Sequence, residues 1–97
     1  MHCLLIYDIP HDRARTKVAD ACLDYGLERV QWSAFAGELN TTLQRELLLK
    51  IQRLLAGKAA KVRLLPINAV MWQQQRVIEQ GDPDAERADH PTSDALS

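Results

Sequence analysis

Hydrophobic and polar positions change period several times along the chain, and each change marks a separate element. Residues 2–7, HCLLIY, form a short continuous apolar run, the pattern of a strand buried in the middle of a sheet. Asp8, Pro10 and Asp12 punctuate it. Pro10 lacks a backbone donor and disfavours helix at Ile9, so the strand ends there. From about Asp12 to Tyr25 the period is helical: Ala14, Val18, Ala21, Cys22 and Tyr25 share one face, while Arg13, Lys17, Asp20 and Asp24 share another. Gly26 is a natural stop. Residues 28–38, ERVQWSAFAGE, alternate again, Val30, Trp32, Ala34 and Ala36 against Gln31, Ser33 and Phe35. This predicts strand with Trp32 in the core and leaves Phe35, on the opposite face, open.

Thr41-Thr-Leu-Gln44 matches a capping box and predicts a second helix to about Ala56. Its apolar stripe is Leu43, Leu47, Leu48, Ile51, Leu54 and Leu55, and Gly57 ends it. Leu49 lies on the otherwise charged side, and the pattern gives no reason for it. VRLLPI at 62–67 reads as a strand in which Pro66 marks a strand end or a sheet edge. A further short strand is placed around Arg76–Glu79. Helices with one apolar face each cover one side of a small sheet, so the expected class is α+β. The best-known version is the ferredoxin-like βαββαβ sandwich. That plan needs a hairpin between the two helices, yet residues 28–38 contain no clear turn dipeptide. The strand must therefore kink near Ser33 or Gly37, or be broken in two by a bulge.

Ninety-seven residues bound a single domain, here 1–81, with a flexible acidic tail at 82–97 almost devoid of apolar residues. The core of so small a domain is thin, and a dimer would bury more apolar area. The net charge of −1, from 12 bases and 13 acids, is unevenly divided. The tail holds five acids and one base, which leaves 11 bases and 8 acids, a net of +3, in residues 1–81. That balance permits a polyanionic partner without demanding one. No apolar run approaches the ~20 residues of a membrane helix. The chain opens directly into HCLLIYDIP without a signal-peptide pattern, so the expected location is cytoplasmic. Cys3 and Cys22 have the spacing of neither a disulfide framework nor a zinc site.

Asp8 is the most pointed residue for chemistry. It stands where a buried strand emerges into a proline turn, a placement that suits a metal ligand or an acid–base group and equally suits a residue that only stabilises the turn. One carboxylate is a poor Mg²⁺ site, but a two-fold axis near Asp8 would bring two together. Two close carboxylates repel one another unless a cation lies between them. Arg13, Arg15, Lys17 and Arg29 form a basic group able to bind phosphate, or else a solvated helix face. Trp32, Phe35 and Trp72 serve as stacking platforms or as core and interface anchors. His11 follows the Asp8 turn within reach of proton transfer, although a lone loop histidine is usually just solvated, and His2 and His90 show no partner. No phosphate-binding glycine loop, zinc-protease helix or Ser-His-Asp pattern is present.

Two ordered stretches resemble the CRISPR-associated protein 2 family. The first is Leu5-Ile-Tyr-Asp8-Ile-Pro10-His-Asp12-Arg-Ala-Arg15-Thr-Lys17-Val18-Ala19, a hydrophobic strand ending in Tyr-Asp before a basic helix start. The second is Tyr25-Gly-Leu-Glu-Arg29-Val-Gln-Trp-Ser33-Ala-Phe35-Ala-Gly37-Glu-Leu39. The Val62–Ile67 strand and Trp72 extend the likeness over roughly residues 1–80. The resemblance implies a ferredoxin-like fold and a homodimer whose C-terminal strand joins the partner's sheet. It also implies work beside the CRISPR integrase (CRISPR-associated protein 1), capturing DNA fragments as new spacers in antiviral defence. It further implies endonuclease activity dependent on Mg²⁺ or Mn²⁺, on duplex DNA or single-stranded RNA, which a scaffold need not use. By position Asp8 corresponds to the metal ligand, and Tyr7, Arg15, Arg29, Ser33 and Phe35 to the active region. Lys17 stands where an arginine can occur and Trp32 replaces a common tyrosine. A toxin-like ribonuclease of the virulence-associated protein D type is the alternative.

Overall fold

In the computed structural model, which describes residues 1–83, four strands form one antiparallel sheet. The elements are β1 (His2–Asp8), α1 (Asp12–Asp24), β2 (Glu28–Gln31), β3 (Ala34–Glu38), α2 (Thr41–Leu55), β4 (Lys61–Pro66) and a short α3 (Ala69–Gln73). The sheet order is β2-β3-β1-β4, the ferredoxin-like arrangement expected from the sequence, with α1 and α2 packed together. The apolar run of β1 is central, and Pro66 does lie on the edge strand, β4.

Burial along β1 alternates. Cys3, Leu5 and Tyr7 are buried with Val18, Cys22, Phe35, Leu47 and Ile51, whereas His2, Leu4 and Ile6 are only partly covered. The core is therefore one-sided, between the sheet and α1–α2. Across the other sheet face runs a groove of about 1300 Å³ whose lining includes Leu4, Ile6, Trp32, Trp72, Val77 and Ile78. A continuous apolar strand looked buried on both faces; within one chain it is buried on one.

The hairpin breaks where a kink near Ser33 was expected. Trp32 and Ser33 form the turn, and the ladder slips between Arg29 and Gln31, leaving Val30 as the extra residue of a bulge. The interruption changes which side chains face inward, because a one-residue slip exchanges the faces of a strand. Phe35 is fully buried and Trp32 is 38% exposed, so the core assignment of Trp32 is corrected. Gly37 is not a kink; a Cβ there would lie 3.0 Å from Leu27 Cδ2, so its smallness admits the β2 entrance to the core.

Three local expectations also change. The N-cap of α2 is Asn40, whose Oδ1 accepts from the Leu43 N–H at 2.8 Å, and Gln44 Nε2 donates instead to the Leu39 carbonyl at 2.9 Å. Of the α2 stripe, Leu47 and Ile51 are buried and Leu54 and Leu55 pack beside them, but Leu43 and Leu48 are exposed at the margins. Arg76–Glu79 forms no strand within the chain: α3 precedes it and residues 75–80 carry no regular structure. Most of the tail, from residue 84 on, lies outside the described residues.

Candidate functional site

Adjacent side chains on a strand point to opposite faces, and this separates the Tyr7-Asp8 pair. Tyr7 faces the helices, 6% exposed, its ring 6.1 Å from that of Phe35. Asp8, the last residue of β1, is exposed at the rim. The Tyr7 hydroxyl is buried beside the Arg29 guanidinium. Burial pushes the phenol pKa up, and the nearby Arg29 guanidinium offsets part of that rise. Ser33 is close by in the β2–β3 turn, its carbonyl accepting from the Tyr7 N–H at 3.1 Å.

The turn carrying Asp8 is held by Arg15. From the first turn of α1, its Nη1 donates to the Ile9 carbonyl at 2.8 Å and to the Pro10 carbonyl at 3.3 Å, and its Nη2 donates to Asp12. His11 has a structural task of its own. It is the N-cap of α1, its Nδ1 accepting from the Ala14 N–H at 3.1 Å, which requires an unprotonated Nδ1. Arg29 lies over Trp32 and Phe35, its guanidinium carbon 5.3 Å and 5.1 Å from the two ring centres. Arg13 and Lys17 are exposed on α1. Tyr7, Arg15, Arg29 and Trp32 thus border one cleft of about 300 Å³, together with Thr16 and Asp20, while Phe35 lies buried beneath Arg29.

The strand register reveals a neighbour that the sequence did not suggest. Lys61 stands directly across the ladder from Asp8, and both are exposed. Only the pairing of distant strands could have found it. Among the described residues no group of three or more His, Cys, Asp or Glu side chains is placed to hold a metal ion. One chain offers Asp8 alone, beside a lysine, which is too little for a resident cation. A hard cation such as Mg²⁺ would need a second carboxylate from another copy, with water or phosphate oxygens, to complete this donor set. Cys3 and Cys22 are free and buried, and burial pushes the Cys22 thiol up to about 12, away from thiolate chemistry.

Among the described residues no helix is long and apolar enough to cross a membrane. The family described as CRISPR associated protein Cas2 matches residues 1–75. A Chloroflexus aurantiacus protein named CRISPR-associated endoribonuclease Cas2 2 is 54% identical over 85 residues, 88% of this chain and 100% of the relative. Among solved structures, Streptococcus pyogenes Cas2 superposes with a TM-score of 0.72 at 20% identity, covering 81% of this chain and 100% of its own, a likeness of fold. A chain of a partial Cas6-RT-Cas1–Cas2 complex superposes with a TM-score of 0.67 at 27% identity, covering 79% of this chain and 89% of that one. Matched over three quarters of its length by the family and over the full length of a curated relative, the chain belongs to the CRISPR-associated Cas2 family.

Proposed function

We propose that the protein is the small subunit of CRISPR spacer acquisition, a homodimer that binds the phosphate backbone of nucleic acid and scaffolds the Cas1 integrase. Family membership supports the pathway, and a similar chain solved within a Cas1–Cas2 complex supports the partner. The observation that carries the reading at the site is the position of Asp8: an exposed carboxylate at the end of the central strand, on a turn that Arg15 pins through two carbonyls. Rigid backbone and exposure together let two copies present their carboxylates to one cation. Its name as an endoribonuclease in the Chloroflexus relative supports a residual phosphodiester hydrolysis here. RNA and duplex DNA are both substrates to test. The family assignment favours this over the virulence-associated protein D alternative.

In the hydrolytic reading, Asp8 and its symmetry mate would hold Mg²⁺ or Mn²⁺. When bound, the ion would supply charge neutralisation at phosphate and a more acidic water. This chain's residues would do the positioning. Arg15 fixes the Asp8 turn, and Phe35 and Trp32 hold the Arg29 guanidinium. The open sheet face and the edge of β4 would be covered in the dimer, with Arg76–Glu79 of one copy pairing with the other sheet.

Asp8→Asn tests the assignment because it removes charge and keeps shape. The expected result is loss of metal-dependent cleavage of RNA and duplex DNA, with dimerisation intact and duplex affinity unchanged or slightly higher. Spacer acquisition in cells is expected to continue, as a scaffold does not need the cleavage. Cleavage that survives the substitution removes Asp8 from the chemistry.

A further inference from the structure

The positive charge of the domain is not concentrated where the expected phosphate-binding residues lie. Residues 1–44 carry four bases (Arg13, Arg15, Lys17, Arg29) and six acids, a net of −2. Residues 45–63 carry six bases (Arg45, Lys50, Arg53, Lys58, Lys61, Arg63) and one acid, Glu46, a net of +5. Two of the first group also have partners in the fold, Arg15 its loop carbonyls and Asp12, and Arg29, though exposed, two aromatic rings. In the second group, Arg45, Arg53, Lys58 and Lys61 are exposed, and among the described residues none of the four forms an ion pair. A merely solvated helix face ordinarily mixes both signs in similar numbers. On α2 a single acid, Glu46, stands among three bases.

Topology gathers three of these cations at one end of the molecule. Strand β3 finishes at Glu38, opposite His2, and β4 returns at Lys61, opposite Asp8, so α2 travels toward the Asp8 rim. Arg53 in the last turn of α2, Lys58 in the connection and Lys61 at the start of β4 therefore converge on that rim. Arg45 and Arg53 share the outward stripe of α2, about 12 Å apart at 1.5 Å per residue. That spacing matches roughly three to four base-pair steps of a phosphate backbone at 3.4 Å per step.

We propose that this α2–β4 margin, formed by Arg45, Arg53, Lys58 and Lys61, is a phosphate-backbone track that leads a nucleic-acid strand to Asp8. It rests on the proposed function, that the protein binds nucleic acid, and assigns the surface that does so. A polyanion is the partner whose repeated charge suits a row of cations without ion pairs, and Lys61 places the end of the track beside the Asp8 carboxylate. Arg63, opposite Ile6 in the middle of β4, is left out because a dimer would cover it; Lys61 alternates to the same face but stands at the strand's end, at the rim beside Asp8.

The test measures duplex DNA binding by fluorescence anisotropy over a salt series, using the full chain. The triple variant R53Q/K58Q/K61Q is compared with R13Q/K17Q; all five positions are exposed, and thermal melting checks that both fold. With three cations removed from the track, the triple variant should bind at least about tenfold more weakly at low salt, and its slope of log affinity against log salt should fall by about 2–3, at ~0.9 per phosphate. R13Q/K17Q should change affinity by less than about threefold, having only two exposed cations to lose on a face shared with acids. Normal binding by the triple variant, or the larger loss in R13Q/K17Q, overturns the track. Normal binding with lost acquisition in cells also overturns it, marking the margin as a protein-docking surface. A wild-type chain that binds no nucleic acid instead defeats the underlying reading. If the triple variant melts early, K61Q and R53Q are measured singly, each expected to reduce the slope by about 1.

Discussion

Replacing Arg15 by methionine keeps the length of the side chain and removes every donor. Two losses matter. The Nη1 bond to the part-buried Ile9 carbonyl at 2.8 Å has a charged donor and is worth about 1.5–2 kcal/mol, and the longer, exposed bond to Pro10 at 3.3 Å about 0.5 kcal/mol. The ion pair with Asp12 adds little, about 0.3–0.5 kcal/mol, because Asp12 is 87% exposed and the charges are screened. The sum is about 2–3 kcal/mol. A domain of this size loses roughly 4–8 °C of Tm per kcal/mol, so melting should fall by roughly 8–24 °C. Urea unfolding followed by circular dichroism should show a lower midpoint with the same slope. Arg15→Lys keeps a point charge that can reach one carbonyl at a time, and should recover about half of the loss. Arg13→Gln, on the exposed helix face, should stay within about 0.5 kcal/mol of wild type. If Arg15→Met stays within the same 0.5 kcal/mol, the guanidinium does not hold the turn, and its positioning of Asp8 is refuted with it.

Other outcomes follow from the same structure. Light scattering at micromolar concentration should report a dimer, and Ile78→Asp, changing a residue 88% exposed in the single chain, should weaken it; a stable wild-type monomer contradicts the covered-face reading. Glu38 accepts from the N-terminal ammonium and from His2, and these two lower its carboxyl pKa. A carboxylate whose folded pKa lies below its unfolded one stabilises the fold above the ordinary carboxylate range and ceases to as pH falls through the folded value. Glu38→Gln should therefore flatten the acid limb of a melting-versus-pH curve and leave the alkaline limb alone; an unchanged acid limb refutes the pairing. Deleting residues 82–97 removes five acids for one base and should modestly strengthen duplex binding; weaker binding by the truncated chain means that the tail itself touches the duplex.

Local chemistry and periodicity determined much of this protein by sequence alone. Ala14, Val18, Ala21 and Cys22 recur at helical spacing, and they are buried because one helix face meets the sheet whatever the rest of the chain does. Pro10 ended β1 and Gly26, at φ +87°, ended α1 through backbone constraints carried within a few residues. The two ordered signatures sufficed to suggest the family. Trp32 and Phe35 could not be placed this way, since the Val30 bulge and the Trp32–Ser33 turn break the alternation, and a bulge follows from pairing with β3 rather than from the strand's own letters. Nor could the inward use of Arg15 and Arg29 be read, because their acceptors and aromatic partners are fixed only once α1 and β2 are seated on the sheet. Lys61 is 53 residues from Asp8 in the chain and its direct neighbour in space. That pairing is a matter of register, set when β1 and β4 bury one face each against the same helices. Periodicity reports which face of an element is apolar; which elements bring their polar ends to the same rim is decided only when those faces close on a common core.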